Sequence, residues 1–265
     1  PFAKHVDRVL GCGVTQLDAD TCAWDNSSDD TVVLLGDSQA GHLVEGLVVA
    51  AEDADVNLRV ATLHGCPFID LVIMHIDDPD ERCADFVDDG IDQLRHLKPT
   101  RVVLSSASDR YIEETTSYLL DPHSGETART APEKARLWEE AFERTVDRVL
   151  AADVAVSVIH PMPRFGLWEA RECAYITLVV RGEACSTEET KPTALAFRER
   201  AMDAELAVAS RTRVKTVDLF DALCPSDVCR TSDDGRWRNL DSFHITVEQS
   251  VALAPHLAEA VTPHP

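Results

Sequence analysis

Thr31-Val32-Val33-Leu34-Leu35-Gly36-Asp37-Ser38-Gln39 opens as a run of branched aliphatic residues and ends in a glycine and three polar ones. A run that is apolar at every position, not at alternate ones, suits a parallel strand buried on both faces. The residues after it, Gln39 to Ala54, carry Leu43, Leu47 and Ala50 or Ala51 at helical spacing. Strand, polar turn, helix is the first unit of an alternation that continues along the chain. Further strands are expected at 57–63, 101–104, 154–159 and 214–219. Helices are expected at 86–97, 133–150, 192–210 (with proline in its first turn) and 247–261. This order predicts an α/β fold, a three-layer sandwich around a central, mostly parallel five-stranded sheet covered by helices on both faces. Residues 108–131 read as a polar, irregular surface excursion, and 160–190 lack periodicity. Residues 1–30 form an N-terminal extension, and 31–265 one α/β domain.

Composition narrows the setting. The chain has 265 residues, 45% of them hydrophobic and 27% charged, as a globular domain requires. No apolar stretch approaches the ~18–20 residues of a membrane span. The formal net charge of −22 repels phosphate backbones, which excludes nucleic acid as a partner. Pro1-Phe2-Ala3-Lys4 does not read as a leader and looks like a cut inside a longer chain. Eight cysteines (Cys12, Cys22, Cys66, Cys83, Cys173, Cys185, Cys224 and Cys229) fall into four close pairs along the sequence. Local pairing is the simplest arrangement, although the sequence leaves the connectivity open. None has Cys-x-x-Cys spacing, and no paired histidines complete a zinc set, so no metal is expected. An even count of this kind favours disulfides and an oxidising, extracytoplasmic compartment.

The chemistry lies at the two ends of the expected sheet. Ser38 sits where the first strand gives way to the first helix, at the carboxyl edge where open α/β sheets bind ligands. Gly-Asp-Ser alone is also ordinary capping vocabulary. Asp241-Ser242-Phe243-His244 precedes the last helical run. An acid three residues before a histidine can accept from one imidazole nitrogen while the other faces a serine. Ten histidines occur and most are bystanders; the pairing of His244 with Asp241 and Ser38 singles it out. The nucleophile elbow Gly-x-Ser-x-Gly is not met, because Ala40 occupies its last position.

Gly36-Asp37-Ser38 and Asp241-x-x-His244 resemble the first and last sequence blocks of the SGNH (GDSL-type) hydrolases, over residues 31 to about 261. The longer string Leu35-Gly36-Asp37-Ser38-Gln39-Ala40-Gly41-His42 is similar to the SGNH domains fused behind the membrane part of type-3 acyltransferases, which O-acetylate bacterial surface glycans. So are Cys66-Pro67 and the ending Asp241-x-x-His244-x-Thr246. The local cysteine pairs suit that branch as well. The resemblance implies Ser38 as nucleophile, His244 as general base and Asp241 as its orienting acid. It implies oxyanion donors at the Ser38 amide and Gly65. The family's third donor is an asparagine after the third strand, and this chain has none there. Ser105, Ser106 or Ser108 would replace it, with Ser106 the candidate chosen.

Asp37, Gln39, His42, Arg110 and Tyr111 are expected to line the substrate site, and Arg164, Phe165, Trp168 and Trp237 are further loop candidates. His42 also reads as a satisfied helix histidine, and the loop residues as ordinary packing. The resemblance predicts extracytoplasmic serine-dependent transfer of an acyl group, acetyl in the first place, to a cell-envelope glycan, with no cofactor. The partners would be an acyl donor, a glycan acceptor and a membrane acyltransferase domain N-terminal on the same chain, tethering this one to the membrane. The alternatives are a carbohydrate O-acetylesterase and a non-catalytic glycan-binding domain.

Overall fold

Val32, Val33, Leu34 and Leu35 are fully buried at the middle of a six-stranded sheet. The computed structural model describes residues 2–13, 17, 20–75, 78–79, 81–173 and 182–262. In chain order its elements are α1 (Val6–Leu10), β1 (Ala23–Trp24), β2 (Thr31–Gly36), α2 (Ser38–Gly41), α3 (Val44–Asp53), β3 (Asn57–Thr62), β4 (Val72–His75) and β5 (Asp78–Pro79). There follow α4 (Glu81–Leu97), β6 (Arg101–Ser105), α5 (Ser108–Glu113), β7 (Ser117–Leu120), β8 (Thr127–Ala128), α6 (Ala131–Leu150) and β9 (Ala155–Ile159). The last are β10 (Glu188–Thr190), α7 (Lys191–Arg211), β11 (Lys215–Val217), α8 (Phe220–Leu223), β12 (Val228–Arg230), α9 (Val247–Ala252) and α10 (Ala254–Val261).

The main sheet runs β1-β3-β2-β6-β9-β11. Its last five strands are parallel, with Gly36 level with Thr62 on one side and Ser105 on the other. The chain leaves β2 for β3 on one side, then crosses back to β6 on the other. That reversal opens a crevice at the carboxyl ends of β2 and β6, the place where such sheets bind ligands. Alternate side chains serve two cores. Val33, Leu35, Val102, Leu104, Val156 and Val158 pack with residues of α4, α6 and α7, while Val32, Leu34, Leu58, Val60, Val103 and Ile159 pack with residues of α3 and α10. The expected three layers are present.

Several details differ from the sequence reading, each for a local reason. The expected helix 39–54 is two helices, because the chain turns at His42–Leu43. The run 247–261 likewise divides at Leu253, with Pro255 in the first turn of α10. The supposed excursion 108–131 is structured: β7 and β8 extend β4 and β5 into a four-stranded antiparallel sheet. Ser117 and Leu119 are buried while Tyr118 and Leu120 are half-buried, a period of two hidden among polar neighbours. Part of the aperiodic stretch, 174–181, lies outside the described residues.

The segment ahead of residue 31, read as an extension stapled onto the domain by a disulfide, packs against the layers and adds a sixth strand to the five expected. β1 pairs antiparallel with β3, and the Thr62 amide donates to the Cys12 carbonyl at 3.0 Å. Asp7 is buried against α2 and accepts from Thr62 Oγ1 (3.1 Å), His64 Nε2 (2.8 Å) and the Arg8 amide (2.6 Å). Gly41 makes this possible, because a Cβ there would lie 2.2 Å from Asp7 Oδ2. The disulfides join Cys12 to Cys22, Cys66 to Cys83, Cys173 to Cys185 and Cys224 to Cys229.

Two consequences are measurable. A Cβ on Gly36 would stand 1.8 Å from the Ser105 carbonyl oxygen, and a paired backbone cannot yield there. Gly36→Ala is expected to cost roughly 3 kcal/mol in urea denaturation. For Asp7, burial alone would raise the carboxyl, but the bond and charge of His64, with the Arg8 amide and the Thr62 hydroxyl, hold it below 3.8. A carboxyl depressed on folding lends stability above its unfolded value and loses it as pH falls through its folded value. The stability difference between wild type and Asp7→Asn should therefore be largest at neutral pH and shrink as pH drops below 3.8. A difference that grew toward acid would contradict this assignment.

Candidate active site

Ser38 is the first residue of α2, immediately beyond the end of β2. The turn that presents it is pinned from below. Asp37 Oδ1 accepts from the Gln39 amide (2.8 Å), and Oδ2 accepts from the Ala107 amide (3.0 Å) and the Tyr111 hydroxyl (2.9 Å). Asp37 is completely inaccessible; burial pushes its carboxyl up, and these three donors pull against that push. Burial, then the adjoining Asp37 carboxylate, pushes the Tyr111 hydroxyl far up, so it stays a donor. Gln39 is buried too, its amide nitrogen donating to Ser105 Oγ (3.0 Å) and its oxygen accepting from the Met162 amide (3.2 Å). Asp37, Gln39 and Tyr111, expected to face substrate, thus form a frame beneath the serine.

The histidine arrives from the other end of the chain. Residues 239–246 form a loop held by main-chain bonds: the Leu240 amide donates to the His244 carbonyl (2.7 Å), and the Phe165 amide to the Ser242 carbonyl (2.8 Å). Thr246 ends the loop by capping α9, its hydroxyl accepting from the Gln249 amide at 3.1 Å and donating to the Trp237 carbonyl at 2.8 Å. Asp241 Oδ1 accepts from the amides of Phe243 (3.1 Å) and His244 (2.9 Å), while Oδ2 lies 2.7 Å from His244 Nδ1. A carboxylate there fixes the hydrogen on Nδ1 and leaves Nε2 as an acceptor. His244 Nε2 is 2.8 Å from Ser38 Oγ, so the serine hydroxyl donates to it. Burial would raise the Asp241 carboxyl, but the bond and charge of His244 and the two amides outweigh it and hold it low. Such a line of ionised acid, neutral imidazole and hydroxyl can draw a proton from the serine as its oxygen attacks a carbonyl.

The remaining candidates divide. Gly65 lies in the turn closed by the Cys66 amide on the Leu63 carbonyl, beyond β3 and beside the strand that carries Ser38. Of the three serines after β6, Ser105 accepts from Gln39 and Ser108 donates to the buried Glu205 at 2.6 Å. Only Ser106, half-buried between them, lacks a hydrogen bond of that kind among the described residues. His42 is buried, and its ring stacks on that of His244, with centroids 4.2 Å apart. Arg110 and Arg164 both lie over the Phe243 ring, at 5.1 and 5.4 Å, and Phe243 in turn contacts His244. Arg164 is paired with the buried Asp109, and Arg110 with Glu114 at 3.6 Å. Phe165 is core, and Trp168 and Trp237 stack on each other at 5.8 Å. Phe243, Asp109 and His5 were not singled out from the sequence. Phe243 alone carried a signal there, its place between the acid and the base.

Known proteins share the fold. No curated protein sequence is significantly similar to the chain. Among solved structures, the periplasmic domain of the lipopolysaccharide acetyltransferase of Salmonella ser. Paratyphi A has a TM-score of 0.66 at 16% identity, covering 96% of this chain and 93% of that one. An acetylxylan esterase from Geobacillus stearothermophilus has a TM-score of 0.50 at 12% identity, covering 89% of this chain and 96% of the esterase. At these identities the likeness establishes the fold. The model of SGNH domains fused to AT3 domains matches residues 11–259, nearly the whole length, and the chain belongs to that family.

Proposed function

We propose that this domain carries out serine-dependent O-acyl transfer to a cell-envelope glycan outside the cytoplasm, working with a membrane acyltransferase domain on the same chain. The observation that carries the reading is the continuous line Asp241–His244–Ser38, with separations of 2.7 and 2.8 Å. Ser38 Oγ attacks the carbonyl carbon of the acyl donor as its proton passes to His244 Nε2. The imidazolium, paired with Asp241, returns that proton to the leaving group. In the second half an acceptor hydroxyl gives its proton to His244 and attacks the acyl-serine, which releases Ser38.

The oxyanion formed in each half needs donors already in place. The Ser38 amide heads a helix and has no intrahelical acceptor. The Gly65 amide and Ser106 Oγ complete the set in this reading. Four disulfides support an oxidising compartment, as does the periplasmic domain sharing the fold. No described helix is long and apolar enough to cross a membrane. Hydrolysis is the second reading, favoured by the 15% of the His244 side chain that stays open to solvent and would admit water to the acyl-serine.

A fluorophosphonate probe followed by intact-mass spectrometry tests the nucleophile. One adduct is expected on the wild-type chain and none on Ser38→Ala; equal labelling of both would refute the assignment. With p-nitrophenyl acetate as donor, Asp241→Asn should lower kcat by ~10⁴-fold through the wrong imidazole tautomer. Ser106→Ala should lower kcat by ~10²-fold with KM little changed if its hydroxyl serves the oxyanion.

A further inference from the structure

Two more imidazoles lie against His244. The His42 ring stacks on it with centroids 4.2 Å apart and planes 19° from parallel. The His5 ring lies tilted against His42 in turn, at 4.0 Å and 39°. Both extra rings spend a hydrogen bond on one acceptor, the carbonyl of Ile245, the residue after His244. His42 Nδ1 reaches it at 2.9 Å and His5 Nε2 at 2.9 Å. His5 Nδ1 meets Glu45 Oε2 at 2.7 Å, and Glu45 Oε1 accepts from the Val6 amide at 2.7 Å.

These contacts fix the hydrogens. His5 has an acceptor beside each nitrogen, the Ile245 carbonyl and the Glu45 carboxylate. His42 bears its hydrogen on Nδ1; burial, then the neighbouring His244 and His5, hold its basicity far down, and it stays neutral. A neutral ring therefore separates His5 from the base. Burying two polar rings, one of them against a carboxylate, is a costly way to fill space that leucine or phenylalanine would fill. The arrangement is also directional, since one nitrogen of each ring converges on the Ile245 carbonyl beside His244.

We propose that His42 and His5 are positioning residues for His244. Their shared bond to the Ile245 carbonyl fixes the loop, and the His42 face fixes the ring plane, so that Nε2 stays on Ser38 while Nδ1 stays on Asp241. The inference rests on the reading of His244 as the general base. It makes the N-terminal segment part of the active site, because His5 precedes α1 and is anchored by Glu45 of α3. The family match covers residues 11–259, which includes His42 and leaves His5 outside it.

The test uses the whole 265-residue chain, p-nitrophenyl acetate, and the variants His42→Leu, His42→Asn, His5→Leu and the double leucine variant. Their fold is checked by circular dichroism. His42→Leu should lower kcat by about 10- to 100-fold with KM within about twofold, because the reacting groups lose alignment, not affinity. His42→Asn keeps a donor for the Ile245 carbonyl and should recover part of the loss. The double variant should cost much less than the product of the single effects, since both rings hold one carbonyl. Folded variants with wild-type kcat, or losses confined to KM, would overturn the proposal. A wild-type chain with no Ser38-dependent turnover would instead defeat the functional reading beneath it. Imidazole nitrogen NMR of the wild-type chain covers the case of variants that fail to fold. His42 protonated on Nδ1 supports the proposal; His42 protonated on Nε2 overturns it.

Discussion

The Asp37 carboxylate is sealed from water and faces three donors that come from three places: the Gln39 amide in its own turn, the Ala107 amide beyond β6, and the Tyr111 hydroxyl on α5. A buried carboxylate that lost one of these would face a desolvation cost nothing else nearby could offset. The end of β2, the end of β6 and the start of α5 are thereby held at fixed distances. Gly36 brings the two strand ends together by having no side chain, and Gln39 ties the same corner to Met162 beyond β9. Ser38 projects from this corner into the crevice where the chain reverses across the sheet.

The base comes to that corner on a loop with little secondary structure, and so depends on other restraints. Main-chain bonds from Leu240 and Phe165 set the loop's path, and Thr246 fixes where it enters α9. The ring of His244 is held edge-on by Asp241, with His42 stacked on it and Phe243 tilted against it. Two guanidiniums gather over Phe243 at the rim of the crevice. Each guanidinium is matched by a carboxylate, Asp109 or Glu114, which orients it without making the rim strongly cationic.

Much of the fold was legible because burial on both faces of a parallel strand leaves an unbroken apolar run. Val32 to Leu35 announces β2 for that reason. The acid and the histidine were legible because they lie three residues apart and act within one loop. What escaped notice depends on partners distant in sequence. Asp37 and Gln39 read as polar residues next to a nucleophile, hence as substrate contacts, and only the fold brings Ala107, Tyr111 and Met162 to them. The turn at His42 was hidden because Leu43 and Leu47 keep helical spacing across it. Residues 117–120 looked irregular because a short half-buried strand offers too few alternations to stand out. His5 carried no signal, being one of ten histidines and some forty residues from Glu45.

The central claim is that Ser38 carries the acyl group between donor and acceptor. It is tested most directly by mixing the chain with p-nitrophenyl acetate, quenching in acid within the first turnover, and mapping the digested peptides by mass. The account predicts an acetyl group on the peptide containing Ser38, formed and lost at rates compatible with turnover and absent from Ser38→Ala. Turnover without any acetylated Ser38 peptide, or with acetyl at another residue, would contradict it.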